Sequence, residues 1–235
     1  MNAFSSFFYK IKTHFSKIRS RYLFEKRRES FQQNSSVIFH EFCNAFKESE
    51  VEFWLTFGTL LGSVRENGII SHDIDIDVGV KSDINYARLD ESLGKHGFIK
   101  RRQIDVYSRS NESQGFEMTY SKDGVNIDIF IFHPIVGKEN RYYTHAFFDR
   151  IVHENFILYK KVYRIEFPLE GLTNTTFMGN NVLIPSNYDS FLSSYYGPDY
   201  MIPNPHWKLT DSYSGYIIEN SIGLVKIESV NNVKN

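Results

Sequence analysis

An α+β fold, with a small mixed sheet flanked by helices, is what the order of elements in this chain predicts, and three observations carry it. Apolar residues recur at steps of three and four over residues 4–22 and again over 36–50, which is helical spacing. Between 51 and 135, short runs of branched and aromatic residues are punctuated by Gly and Asp-Gly, the composition of strands and turns. One of those runs, DIDIDV at 73–78, alternates carboxylate with aliphatic side chain at every step, the period of a strand with one buried face.

The 235 residues fit one sizeable domain with a small appendage, and 41% hydrophobic with 16% aromatic residues is globular composition. A single cysteine, Cys43, excludes an internal disulfide framework and any multi-cysteine metal site. No apolar run approaches the roughly 20 residues that cross a bilayer, and no apolar N-terminal core precedes a cleavage site, so the expectation is a cytoplasmic protein. The net charge of −1 conceals an asymmetry: residues 1–30 hold eight Lys and Arg against two Glu, leaving about −7 for the remainder. The acidic remainder, without basic and aromatic residues interleaved, argues against nucleic-acid binding.

Taken in order, Phe4, Phe8, Ile11, Phe15, Ile18 and Tyr22 form the stripe of an amphipathic helix, with Lys10, Lys12, Lys17, Arg19 and Arg21 largely elsewhere. That arm, residues 1–30, either lies on an anionic membrane surface at the inner face of the cell membrane or packs on protein. The domain then runs over 31–235, since no repeat or linker divides it. Val37, Ile38, Phe42, Ala45 and Phe46 predict a helix capped at Ser35 or Ser36. VEFWLTF at 51–57 predicts a buried strand stopped by Gly58, and the run from Thr59 a short helix closed by Gly68. After the carboxylate strand, Ser82 or Asp83 caps a helix to about Gly94 or Gly97. Two antiparallel strands follow within 98–132, with Asp123-Gly124 as hairpin turn. Beyond 135 the pattern weakens, though 159–167 and the pair within 175–185 read as strands and 186–197 as a short helix ended by Gly197.

The chemistry lies in the carboxylates. A strand places Asp73, Asp75 and Asp77 on one face, where like charges repel and where β-propensity disfavours Asp. Hard divalent cations take oxygen ligands, and Mg²⁺ is typically held by one or two carboxylates with substrate phosphates filling further positions. Asp128 sits in VNIDIFIF, a run so apolar that an ionised side chain there needs a partner, either an Arg, backbone N–H groups or a metal. Two strands sharing a sheet would gather Asp75, Asp77 and Asp128 around one or two cations. Gly58 and Thr59 stand at a strand-to-helix junction, where backbone N–H groups and the helix dipole favour a phosphate. Arg65 would add a charge-assisted bond to a diphosphate or pair with a nearby Glu. Tyr195, Tyr196, Tyr200 and Trp207 would stack on a base or sugar, or pack as core.

The block FWLTFGTLLGSVRENGIISHDIDIDVGV at 53–80 resembles the signature of the LicD/fukutin family, a branch of the nucleotidyltransferase superfamily. The carriers are an apolar strand, Gly-Thr-Leu-Leu-Gly, an Arg, a Gly turn and clustered Asp ending in Asp-Ile-Asp. Asp75 and Asp77 fall on the family's metal pair and Asp128 on its third carboxylate. NNVLIPSNYDSFLSSYYGPDYMIPNP at 180–205 resembles its closing pattern. Ile74 and His72 depart from it, standing where Asp or His and Trp are common. The resemblance covers roughly 35–207 and does not explain the arm.

What it implies is a nucleotidyltransferase-like fold and a metal-dependent LicD-type phosphotransferase. Such an enzyme moves phosphocholine or a polyol phosphate from a CDP-linked donor to a hydroxyl of a cell-surface glycan, of the lipopolysaccharide or capsule kind and free or lipid-linked, and releases CMP. The resemblance implies Mg²⁺, with Mn²⁺ as substitute, on Asp75, Asp77 and Asp128, and assigns Gly58, Thr59, Arg65 and Asp73 to substrate. Two alternatives stand beside it: a nucleotidyltransferase attaching NMP from an NTP to a small molecule or protein, and a non-catalytic assembly subunit that keeps the fold.

Overall fold

A computed structural model describes residues 3–108, 113–204, 206–218 and 220–226, with side chains at 19 and from 21 onward. Its first element, α1 (Ala3–Ser49), is one helix of 47 residues that runs unbroken past residue 30. From Phe31 onward it carries a buried stripe of Phe31, Ile38, Phe39, Phe42, Ala45 and Phe46. Each phenylalanine fully removed from water contributes about 1.5–3 kcal/mol. That burial explains why the helix does not start where the sequence places a cap: Ser35 is 3% exposed and sits mid-helix. A serine's helix penalty of about half a kcal/mol is outweighed by the packing on either side of it. Val37, read as part of the stripe, is instead 63% exposed. Of the arm's apolar stripe, Phe4 to Ile18 have side chains outside the described residues, while Tyr22 is 65% exposed. Among the described residues no helix is long and apolar enough to cross a membrane.

The strand expected over 51–57 shrinks to β1 (Trp54–Leu55), because Phe57 turns the chain with a left-handed φ of 45° and opens α2 (Phe57–Arg65). The strain is held by packing, with the Phe57 ring 4.5 Å from Phe130 and 4.9 Å from Tyr195. β2 (Asp75–Lys81) begins two residues after Asp73, which lies in the preceding turn and not on the strand as expected. Helix α3 (Tyr86–Lys95) is capped by Asn85, not by Ser82 or Asp83: its side-chain oxygen accepts the Arg88 N–H at 3.1 Å. β3 (Ile99–Ser108), β4 (Ser113–Lys122) and β5 (Val125–Pro134) are antiparallel neighbours, and Asp123 and Gly124, at φ 46° and 83°, make the β4–β5 turn.

The weakly patterned half folds into β6 (Arg141–Val152), β7 (Phe156–Pro168), β8 (Leu172–Phe177), β9 (Asn180–Pro185), α4 (Tyr188–Tyr196), β10 (Gly215–Ile218) and β11 (Ser221–Lys226). The sheet is therefore mixed but not small: among the described residues it has eleven strands, ten of them in the order β10-β7-β11-β3-β4-β5-β2-β1-β9-β8. β6 bridges β5 and β7, so that β5, β4, β3, β11, β7 and β6 pair in a closed cycle. On strands of this cycle, His133 of β5 and His145 of β6 lie with ring centroids 6.0 Å apart, against Gly115 of β4. β2 runs parallel to β5 and antiparallel to β1, which brings the two acid-bearing strands side by side.

Candidate active site

The register fixes the geometry. Asp77 pairs with Asp128, Asp128 with Thr119, and Thr119 with Arg102, so one transverse row across β2, β5, β4 and β3 carries two carboxylates, a hydroxyl and a guanidinium. Partners on adjacent strands lie about 5 Å apart, close enough for each side chain to act on the next. Thr119 Oγ1 donates to Asp128 Oδ1 at 2.5 Å. Arg102 Nη2 donates to Glu117 Oε1 at 2.9 Å and lies 3.8 Å from Asp128 Oδ1. Asp75 is two residues before Asp77 on the same face, and the Arg27 guanidinium of α1 reaches to 3.7 Å from its Oδ2.

α2 is clasped to β2 at one residue. Gly58 N–H donates to Asp77 Oδ2 at 3.2 Å, Asp77 N–H donates to Thr59 Oγ1 at 2.8 Å, and Thr56 N–H donates to the Asp77 carbonyl at 3.1 Å. The N-terminus of α2 thus serves the Asp77 carboxylate, and the buried Thr59 hydroxyl holds backbone. A methyl group on Gly58 would lie 3.4 Å from Asp77 Oδ2 and 3.5 Å from Asp73 Oδ2, so Asp73, though off the strand, turns back to the same place. Arg65 pairs with Glu66 at 2.9 Å and reaches the Tyr200 carbonyl at 3.5 Å.

Charge is crowded here. Burial first, then repulsion from Asp75, Asp128 and Asp73, pushes Asp77 well above the usual carboxylate range. Burial and the neighbouring Asp128 raise Asp75, burial raises Asp128 against the pull of Thr119 and Arg102, and burial takes Asp73 to about 6. Burial likewise drives Glu117 to about 8 against the attraction of Arg102. As the side chains stand, no three His, Cys, Asp or Glu among the described residues form a group able to hold a metal ion. The donor set itself is all hard oxygen, which suits Mg²⁺ by type, and side-chain rotation is needed for convergence.

Beside Asp73 and Gly58 opens a cavity of about 890 Å³, lined by Arg65 and by Tyr196, Tyr200, Trp207 and Tyr213. Trp207 packs 4.7 Å from Tyr196 and 5.1 Å from Tyr195. Of the aromatic residues that sequence singled out, Tyr196, Tyr200 and Trp207 face the cavity, and Tyr195 belongs to the core.

Acidic strands side by side, a helix start clasped to one of them and an aromatic cavity alongside make this the candidate active site. The chain belongs to the LicD/FKTN/FKRP nucleotidyltransferase-domain family, whose domain matches residues 50–187. It is similar to mouse ribitol 5-phosphate transferase FKRP, 26% identical over 162 residues that make up 67% of this chain and 30% of that protein. It is similar also to ribitol-5-phosphate transferase FKTN of Macaca fascicularis, 26% identical over 185 residues, 76% of this chain and 35% of that one. The chain spans about a third of the length of the curated relatives it matches. Among solved structures, ANT(2″)-Ia in complex with adenylyl-2″-tobramycin overlaps 77% of this chain and 86% of its own, with a TM-score of 0.42 and 13% identity.

Thr119, Arg102, Glu117 and Arg27 escaped the sequence reading. The first three owe their place to cross-strand register, for which the only local signal is Glu117 amid the apolar run of β4.

Proposed function

We propose that this chain transfers a phospho-alcohol, of the ribitol phosphate or phosphocholine type, from a CDP-linked donor to a hydroxyl of a glycan, releasing CMP. The observation that carries the reading is the Asp77–Asp128 row with Asp75 beside it, carboxylates on adjacent parallel strands that repel one another in the free protein. Asp75, Asp77 and Asp128 would hold Mg²⁺, which supplies charge stabilisation at the donor diphosphate. Thr119 fixes the Asp128 carboxylate through its hydrogen bond, and Arg102 limits the negative charge behind it. The clasp of α2 on Asp77 orients that carboxylate through the Gly58 N–H. Asp73 and Arg65 open onto the cavity, whose size and aromatic wall suit a sugar or nucleoside. Asp73 would take the acceptor hydroxyl. The acceptor oxygen bonds to the phosphorus of the alcohol phosphate, the bond from that phosphorus to the CMP oxygen breaks, and the acceptor proton passes to Asp73.

The test is ³¹P NMR of the protein with Mg²⁺ and CDP-ribitol, CDP-choline or CDP-glycerol, with and without candidate glycans. Formation of CMP from one donor, lost with EDTA and in Asp77→Asn, supports the reading. Intact CDP donors together with pyrophosphate released from a nucleoside triphosphate would replace it with nucleotidyl transfer.

A further inference from the structure

Arg27 lies outside the segment that matches the family domain, on a helix whose basic end the family pattern does not explain. It sits one turn before Phe31, the first buried phenylalanine of α1 among the described residues, and so on the core-facing side of that helix. The helix is pinned there from two directions. Ser30 Oγ and Asn34 Nδ2 donate to the Asp123 carbonyl in the β4–β5 turn, at 3.2 and 3.1 Å, and Gln32 Nε2 donates to the Ser71 carbonyl ahead of β2, at 3.5 Å. α1 therefore spans the open end of the acid-bearing strands, and Arg27 is the residue it presents to them.

Two guanidiniums act on Asp75 and Asp128, and they are differently employed. Arg102 is committed behind it, bonded to Glu117 and close to Asp128. Arg27 lies 3.7 Å from Asp75 and gives one bond, at 3.5 Å, to the Ile74 carbonyl, with its side chain 39% exposed. A guanidinium has five N–H donors in a fixed fork shaped for paired oxygens, and most of Arg27's remain unspent toward the open side. A group so placed is one side-chain rotation from any phosphate that Asp75 serves.

The geometry points to Arg27 as a substrate-binding residue that grips the diphosphate of the nucleotide donor, so that the N-terminal helix is part of the active site. This rests on the proposed reading for the presence of a diphosphate, and not for its base. The experiment is calorimetric titration of the full chain with Mg²⁺ alone and then with CDP, ADP, GDP and UDP in Mg²⁺, for wild type, Arg27→Ala and Arg27→Lys, with far-UV circular dichroism to establish that each is folded. The expected result is a loss of about 10- to 100-fold in diphosphate affinity for Arg27→Ala, with Arg27→Lys between, because lysine keeps the charge and loses the fork. Affinity for Mg²⁺ alone should not fall. If Arg27→Ala binds the diphosphate within about twofold of wild type, or differs only in binding Mg²⁺ more tightly, Arg27 merely balances charge and the inference is overturned. If wild type prefers ADP, GDP or UDP to CDP, the CDP reading fails while the Arg27 effect stands or falls on the preferred nucleotide. Binding of no diphosphate by wild type overturns both.

Discussion

The acid cluster and the histidine pair share a sheet and a strand, yet they are built on opposite principles. His133 and His145 are imidazoles that burial, aided by Arg164, keeps neutral: His133 is shifted down and His145 falls to about 3. His133 stacks on Tyr143 at 5.1 Å, and Arg164 lies 3.9 Å over the same ring. The cost there is of another kind: His133 Nε2 and His145 Nδ1 are buried with no hydrogen-bond partner among the described residues, yet a neutral imidazole is far less costly to bury than a charge. Asp73, Asp75, Asp77 and Asp128 come instead from a turn and two strands to a place where each raises the free energy of the others' charged forms. Burial is the main cause in the first group, with Arg164 and the repulsion of His133 on His145 adding to it. It leaves the second as a tension that a bound cation would relieve, and the two should therefore answer differently to the same perturbations.

The largest expected difference is at Asp77. Asp77→Asn keeps an acceptor for Gly58 N–H and removes one of the repelling charges, so transfer should fall about a thousandfold while the melting temperature rises, by about 2–4 °C for each ~1 kcal/mol of repulsion removed. A melting temperature that fell with activity would mean the carboxylate is structural, and the contrast with the histidines would collapse. Next comes the metal itself: Mg²⁺ at a hundred times its dissociation constant should stabilise wild type by about 2.7 kcal/mol in a thermal melt. His145→Gln should retain this response and Asp75→Asn should lose it.

Gly115 probes the other side. Its φ is +124°, and an added Cβ would lie 2.6 Å from His133 Nε2. Gly115→Ala should destabilise by about 1–3 kcal/mol in urea titration and leave Mg²⁺ stabilisation unchanged. The remaining contrast is in pH dependence. Because the folded His145 binds its proton only near pH 3 and the unfolded residue near 6.5, its contribution is complete above 6.5 and shrinks as pH falls through that window, by at most about 1.4 kcal/mol per pH unit. Urea midpoints at pH 7 and pH 4.5 should differ less in His145→Gln than in wild type; an equal difference would show that the ring is protonated in the fold.

Legibility in the sequence followed the range of the interactions. Asp75 and Asp77 were readable because period-two alternation is local, and Asp128 because a carboxylate inside an aliphatic run conflicts with its neighbours. The Asp123-Gly124 turn was readable for the same reason. Thr119 and Arg102 were not, because what places them is pairing between strands, and neither residue conflicts with its own sequence neighbours. The closing strands β6, β10 and β11 were missed where Tyr, Lys and Arg on half-exposed strands blur the alternation. Ser35 misled because a serine's local preference for a cap carries less free energy than the phenylalanines that flank it. Arg27 was assigned to an arm on composition, whereas its place is decided by Phe31 four residues on.

An unbroken α1 has a geometric corollary. On a rigid rod at 3.6 residues per turn, where Arg27 points is a matter of phase: one alanine inserted between Arg27 and Phe31 would swing the guanidinium about 100° around the axis, and four would bring it nearly back, one turn further out. From Arg27 the rod continues about 36 Å, at ~1.5 Å per residue, to its first residue, Ala3. Anything that seizes that far end, bilayer or protein, applies torque to Arg27 as a wrench does to a bolt.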